Sequence, residues 1–365
     1  MGTSLNRFDA LRLAFASMVF IFHAVILSGL VPESALELNL ALMAELSIQG
    51  FFIISGALVY GSWQRSKGLA DYTSKRIRRL YPAYAVIILI PAIVSAAITF
   101  EQPGALGEIA RYVVANLTFL NFLEPTLPGL FEDNRFGAVN GALWTLKIEV
   151  MFYIAVPVLA WGLSKLTRFW WVGVALLAIG GLVWQQASLA VDHRLSDQLA
   201  RQLPGQMMYF AAGIAMWKLW DLVRAKAGLF LLVGSVILIA ALWRPELASL
   251  RALGLFGIIA GFAFVRGPEL NAARWGDISY GVYIVHFPIV QMLVAAGLFE
   301  TLGLGGGIAV SALVVLPVSY LLWWWVEKPA LRRDSHYRQV SEERAAEWPN
   351  TKPSNWTPQE TGSPS

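Results

Sequence analysis

The chain of 365 residues has no cysteine and few charged residues, which make up 14% of it. The absence of cysteine excludes disulfide bonds and metal sites built on thiolates. Soluble domains contain roughly 25% charged residues, so this composition, with 57% hydrophobic residues, excludes an ordinary soluble domain. The formal charge of +4 resides in short clusters between apolar runs, so it does not predict a nucleic-acid partner. The composition therefore indicates an integral membrane protein.

Long apolar runs determine the predicted fold. A helix needs about 20 apolar residues to cross a hydrocarbon core of roughly 30 Å. Ten stretches meet or approach this length: residues 10–30, 39–62, 83–100, 144–164, 169–187, 205–222, 227–243, 252–266, 279–299 and 305–326. The 15 Trp residues suit the many membrane interfaces that ten spans require. We predict an all-α integral membrane protein with about ten transmembrane helices.

Basic residues in the short loops predict the orientation, because cytoplasmic loops carry an excess of Lys and Arg. With ten spans the basic clusters fall on one side: Arg65, Lys67, Lys75, Arg76, Arg78, Arg79, Lys165, Arg168, Arg224, Lys226, Arg266, Arg274, Arg332 and Arg333. Both termini are therefore predicted to be cytoplasmic. The first apolar run lacks a cleavage site and is expected to remain as an anchor. Residues 1–333 form the predicted transmembrane domain, and residues 334–365 a polar, disordered cytoplasmic tail.

Three ionisable side chains share one face of the first predicted span. His23 follows Arg12 by eleven residues, which on a helix is three turns plus about 20° and about 16 Å along the axis. Asp9 lies on the same face, and an ion pair between Asp9 and Arg12 at the helix start is the alternative to a functional role. A histidine deep in an apolar helix faces the bundle interior or a wet cavity, and such residues mark functional sites more often than not.

Three further polar side chains lie within the predicted apolar spans. Ser55, in "GFFIISGAL", belongs to a stretch of small residues that also suits close helix packing. Glu149 is predicted to lie about one turn below the outer interface, facing a polar cavity. His286 is predicted to lie closer to the cytoplasmic side, where Pro288 frees backbone carbonyls that the imidazole could bind instead of serving catalysis.

The stretches of sequence around these polar residues together resemble the acyltransferase 3 family of membrane acyltransferases, over the chain from Phe8 to Pro329. Arg12 and His23 match the family's pattern of Arg, ten residues and His. The other matching stretches, in order, are "GFFIISG", "RIRRLYPAY", "NGALWTLKIEVMFY", "ISYGVYIVHFP" and "VEKP". The chain departs from the family at Ala10, where Gly is frequent, and at Gln49. No hydrolase-like domain follows the last span, so the stand-alone form is expected.

The resemblance implies transfer of an acyl group, commonly acetyl from acetyl-CoA, to a hydroxyl of a sugar. The acceptor would be a surface glycan, a glycolipid or a secreted small molecule, and the enzyme would lie in the bacterial inner membrane. No permanently bound cofactor and no metal are expected. The resemblance gives catalytic roles to His23, Arg12, Asp9 and Glu149, with His23 as general base or transient acyl carrier. Residues expected to bind substrate are Arg76, Arg78, Arg79, Ser55, Trp144, Tyr153, Tyr283 and His286.

Several alternatives stay open at this point. A transporter could use the intramembrane His and Glu side chains as a proton relay, although the two halves show no inverted repeat. An export module for a glycan or an acylated small molecule is a third class. The arginines at 76, 78 and 79 could bind CoA phosphates or the headgroups of membrane lipids. A homo-oligomer is a further open alternative.

Overall fold

The computed structural model describes residues 7–191, 193, 195–266, 270, 276–333 and 335, and in these residues the regular secondary structure is helical. The α-helices are α1 (Phe8–Ser28), α2 (Ala35–Gln64), α3 (Leu69–Ile98), α4 (Ala105–Leu117), α5 (Trp144–Lys165), α6 (Trp170–Leu189), α7 (Ser196–Ala200), α8 (Leu203–Lys218), α9 (Trp220–Ala225), α10 (Ala227–Trp243), α11 (Arg251–Phe264), α12 (Ile278–Ala295), α13 (Leu298–Leu322) and α14 (Lys328–Ala330). A π-helical turn, Trp323–Glu327, joins α13 to α14. Arg274 and, apart from Ser335, the predicted tail lie outside the described residues, so the domain boundary stays a prediction.

The predicted fold class is confirmed, since each of the ten apolar stretches coincides with a helix. Eight helical segments among the described residues are long and apolar enough to cross a membrane. The other two predicted spans correspond to α8, with 16 residues, and α10, with 17, which fall short of that length. The chain is an all-α integral membrane protein. The number of ten spans and the cytoplasmic termini stay predictions.

Local sequence signals set the ends of the first two helices. Asp9 occupies the first turn of α1, where a carboxylate interacts favourably with the helix dipole. Gly29 ends α1 in the left-handed conformation, with φ of 65°. Ser34 caps α2 by accepting a hydrogen bond from the backbone N–H of Glu37. These signals fix where α1 starts and stops, and so fix the depth of His23 in the bundle.

Small residues let the central helices approach each other closely. A Cβ atom on Gly56 of α2 would lie 2.2 Å from the carbonyl oxygen of Phe210 in α8, and one on Gly213 would lie 2.0 Å from that of Ile53. Only glycine permits such backbone contact. Helix α1 packs on its two sides against α2 and α12. The face that carries Arg12 and His23 thereby lies between two helices, with both side chains part-buried.

A segment of residues 134–143, irregular up to a 3₁₀ turn at Gly141–Leu143, runs alongside α12 before α5 begins. Near its start, Gln291 donates hydrogen bonds to the carbonyl oxygens of Phe136 and Ala138. Near its end, the Asn140 amide donates to the carbonyl oxygen of Ile284 at 2.8 Å. From Gln291 to Ile284 helix α12 rises about 10 Å. The segment therefore runs toward the N-terminal end of α12, and α5 begins well inside the helix bundle.

Candidate active site

Two histidines that are 263 residues apart in the sequence meet between α1 and α12. The Nδ1 atom of His23 lies 2.9 Å from the Nε2 atom of His286, and the two rings stack with centroids 5.0 Å apart. His286 has 0% of its surface exposed, whereas His23 is partly exposed and lines a cavity. The pair therefore has one member packed inside the protein and one that a substrate can reach.

The hydrogen bonds determine which nitrogen of each ring carries the proton. The Nδ1 atom of His286 lies 3.0 Å from the carbonyl oxygen of Val282. A carbonyl oxygen can only accept, so this Nδ1 carries the hydrogen, and the Nε2 of a neutral His286 is an acceptor. It accepts the Nδ1–H of His23. The Nε2 atom of His23 is then left with a lone pair, which is what a general base requires.

Pro288 frees a carbonyl in α12, and a side chain from another segment binds it. Because proline has no N–H, the carbonyl oxygen of Ile284 loses its helical partner. The Asn140 amide donates to this oxygen, and the His286 ring binds Val282 instead. The alternative role suggested for His286, binding the carbonyl freed by the proline, is therefore filled by Asn140. The Nε2 of His286 remains available for His23.

Four charged side chains from distant parts of the chain form a buried network. Asp277, at the start of α12, accepts hydrogen bonds through one carboxylate oxygen from Arg12, at 2.6 Å, and from Arg79. Its other oxygen accepts from Ser279 at 2.6 Å. Arg79 also donates to Glu327 at 2.6 Å. Burial raises the pKa of Asp277, but the two guanidinium groups outweigh it and hold the pKa below its usual value.

A narrow cavity of about 70 Å³ borders this network. We call it the Arg12 cavity. Its polar lining includes Arg12, Ser55, Arg79, Glu149 and Tyr153. The Tyr153 hydroxyl donates to the Glu149 carboxylate at 2.5 Å. The small volume and the lining suit a thin chain with a few polar groups better than a bulky ring.

A larger cavity of about 720 Å³ lies on the side of His23. We call it the His23 cavity. Its lining includes Trp144 and a set of polar side chains from α2, α7, α8 and α11 and the turn after α7: Glu45, Gln49, Asp197, Arg201, Gln206 and Arg251. This volume falls in the range that small-molecule sites occupy. It offers hydrogen-bond donors and acceptors within a mostly apolar bundle.

The two cavities meet at Ile48 and Tyr283, which line both of them. The Tyr283 hydroxyl lies 2.6 Å from the hydroxyl of Thr145 and also donates to the carbonyl oxygen of Ala142 at 3.3 Å. These bonds hold the phenol ring between the two cavities. Arg12 and His23, which share a face of α1, thus line two adjoining cavities.

Residues 5–324 match the family model described as an acyltransferase domain. The chain belongs to the acyltransferase 3 family. An O-acetyl transferase of Shigella phage Sf6 is 30% identical over 352 residues, with 90% of this chain and 97% of that protein covered. Nodulation protein 10 of Rhizobium leguminosarum is 26% identical, with 90% and 93% covered. The peptidoglycan O-acetyltransferase OatA of Listeria monocytogenes is 22% identical, with 66% and 44% covered. No solved structure matches the chain.

The protein is thus a membrane O-acyltransferase, and the structure corrects two predicted positions in it. Glu149 does not lie on the side opposite Arg12, near the outer interface; it lines the Arg12 cavity. The reason is the segment 134–143, which runs along α12 toward its N-terminal end and so places the start of α5 deep inside the helix bundle. His286 does not lie nearer the end of the bundle that holds Arg12; it lies beside His23.

The remaining predicted site residues divide between the cavities and the surface. Ser55, Tyr153 and Tyr283 line the Arg12 cavity, and Trp144 lines the His23 cavity. Arg76 donates to the Ser62 hydroxyl and packs over the Tyr153 ring. Arg78 is exposed and donates to the carbonyl oxygen of Ala330. Asp9 lies 3.8 Å from Arg12, farther than Asp277 does.

The sequence analysis did not predict a role in the site for Asp277 or for Glu327. The first is the single acid in "WGDISYG", and the second lies in the matching stretch "VEKP" but was given no role. Both carboxylates are about 1% exposed in the network with Arg79. The sequence did contain a signal for both residues: each is a carboxylate beside a predicted span, and a buried carboxylate there needs a cation as its partner. Among the described residues, no three side chains of the metal-binding types come together.

Proposed function

We propose that this acyltransferase moves an acetyl group from acetyl-CoA to a hydroxyl of a sugar in a glycan or glycolipid. The observation that carries the proposal is the contact of the His23 Nδ1 with the His286 Nε2 at the edge of a cavity large enough for a sugar. The relatives named O-acetyl transferase and peptidoglycan O-acetyltransferase support the acetyl group and the glycan. The enzyme would act in the bacterial cytoplasmic membrane, with the Arg12 cavity on the cytoplasmic side.

In the proposed reaction, His23 acts as a general base. Its Nε2 takes the proton of the acceptor hydroxyl while the hydroxyl oxygen attacks the thioester carbonyl. The carbon–sulfur bond breaks, and the CoA thiolate takes the proton back from the imidazolium. His286 keeps the Nε2 lone pair directed at the acceptor, because its own Nε2 accepts the Nδ1–H of His23. It is a positioning residue in this scheme.

Arg12 is too far from His23 to hold the reacting carbonyl. The two residues are separated by about 16 Å along α1. The pantetheine arm of CoA is an extended chain of comparable length, so Arg12 and Arg79 would contact the donor near its phosphate end when the thioester is at His23. The arm would lie in the Arg12 cavity, beside Glu149. The CoA phosphates would bind basic side chains at the entrance, such as Arg76.

The test compares His23→Ala with His193→Ala. His193 is exposed in the connection between α6 and α7 and lines neither of the two cavities described above, so it is the matched control. The purified variants are incubated with labelled acetyl-CoA and with membranes from a strain of the source organism that lacks the gene. We expect His23→Ala to lower transfer at least about a hundredfold, the size of lost general-base catalysis. Near-normal transfer by this variant, at wild-type thermal stability, would overturn the proposal.

A further inference from the structure

Three polar atoms without hydrogen-bond partners belong to residues that line the His23 cavity. Among the described residues these are the side-chain oxygens of Gln49 and Gln206 and the Nε of Arg251. The two glutamines are 3% and 4% exposed. Buried polar atoms in native proteins are nearly always hydrogen-bonded, so an unpaired group calls for an explanation. Each of the three atoms has less than 1 Å² of accessible surface, while the residue that carries it lines the cavity, so a polar ligand there could complete these hydrogen bonds after a small rotation of each side chain.

The two glutamines are held rigidly at similar depths. Gln49 precedes Gly56 by two turns on α2, and Gln206 precedes Gly213 by two turns on α8. These glycines form the backbone contact between the two helices. The Gln49 amide nitrogen donates to the Glu45 carboxylate at 2.9 Å, which leaves the amide oxygen as the acceptor. The pair therefore presents acceptors from two helices that cannot shift independently.

The charges on the cavity wall balance. Glu45 and Asp197 are acidic, and Arg201 and Arg251 are basic. A site for an anionic acceptor would carry an excess of cations. Trp144 contributes an apolar ring next to polar groups, which suits the alternating C–H and hydroxyl faces of a pyranose. The lining therefore matches a neutral, polyhydroxylated ring.

We propose that the His23 cavity binds a neutral sugar residue of the acceptor, with Gln49 and Gln206 accepting hydrogen bonds from its hydroxyls and Arg251 donating one. These residues determine which hydroxyl reaches the Nε2 of His23. The proposal rests on the proposed function, since it assigns the acceptor of the same reaction. It adds the residues that recognise the acceptor and excludes a uronic or sialic acid as the acetylated residue.

The test uses Gln49→Met and Gln206→Met, which keep the side-chain size and remove the unpaired oxygen. Asn121→Leu is the control, because Asn121 also has a buried oxygen without a partner but lines neither of the two cavities. Transfer from labelled acetyl-CoA is measured against increasing amounts of membranes from a strain of the source organism that lacks the gene. We expect each Met variant to raise the membrane concentration for half-maximal transfer about threefold to tenfold, the effect of one lost neutral hydrogen bond. The half-saturating acetyl-CoA concentration stays unchanged.

The outcomes separate this inference from the proposed function. Unchanged acceptor dependence in both Met variants overturns the inference, as does a rise in the half-saturating acetyl-CoA concentration instead. An equal effect of Asn121→Leu also overturns it. Product sugars released by mild hydrolysis and separated by anion exchange should carry the label in the neutral fraction, and label on an acidic sugar contradicts the assignment. If the wild type transfers no label, or His23→Ala transfers normally, the proposed function fails and the inference falls with it.

Discussion

Replacing His286 by leucine tests whether it acts by holding the His23 ring. The side chain is fully buried, so leucine fills a similar space without new contact with water. The substitution removes the His286 acceptor of the His23 Nδ1–H and leaves the Val19 backbone as the remaining partner of the His23 ring. One neutral hydrogen bond contributes about 0.5–1.5 kcal/mol, or roughly a twofold to twelvefold change in rate. Misplacement of the ring by about 1 Å can cost a further factor of about 10².

We therefore expect His286→Leu to lower kcat about tenfold to a hundredfold, less than the loss in His23→Ala. His286→Gln should stay within about fivefold of the wild type, since its side-chain oxygen can accept the same Nδ1–H. The assay is steady-state transfer from acetyl-CoA by purified protein, with thermal unfolding in detergent as the folding control. Wild-type kcat in the leucine variant would refute a positioning role. A glutamine variant as slow as the leucine variant would show that the His286 ring itself exchanges protons.

Three further predictions concern the network, the helix packing and the topology. Asp277→Asn leaves two guanidinium groups without their shared carboxylate, so we expect a loss of about 3–5 kcal/mol in unfolding free energy; an unchanged melting temperature in detergent would contradict the network. Gly213→Ala should destabilise the protein by about 3 kcal/mol through backbone overlap, whereas Gly180→Ala, which meets open space, should not. In this cysteine-free chain, an impermeant thiol reagent should label Gln102→Cys in intact cells and Lys67→Cys only after the membrane is opened. The reverse pattern would invert the orientation.

The sequence predicted the helices well because the signal for each span is local. A run of apolar residues determines a span without reference to any other part of the chain. The shared face of Arg12 and His23 was predictable for the same reason, since it follows from helical geometry alone. Both features survive in the structure as α1 and its position between α2 and α12.

The depth of Glu149 was not predictable from its own neighbourhood. Counting from the outer loop assumes that a span begins at the membrane surface. Here an irregular segment first runs into the bundle, held to α12 by Gln291 and Asn140. These bonds join residues about 150 positions apart, and no periodic pattern records them. The pairing of His23 with His286 is non-local in the same way.

The spacing between Arg12 and His23 has a physical meaning in the proposed reaction. A donor arm that lies along α1 needs both residues on one face of the helix. Inserting or deleting one residue between them changes the separation by only about 1.5 Å, which a flexible arm tolerates, but rotates one against the other by about 100°. That rotation would move the His23 ring away from His286 or the Arg12 side chain away from Asp277, because both partners are fixed on α12. The count of ten intervening residues is therefore set by rotation about the helix axis more than by distance along it.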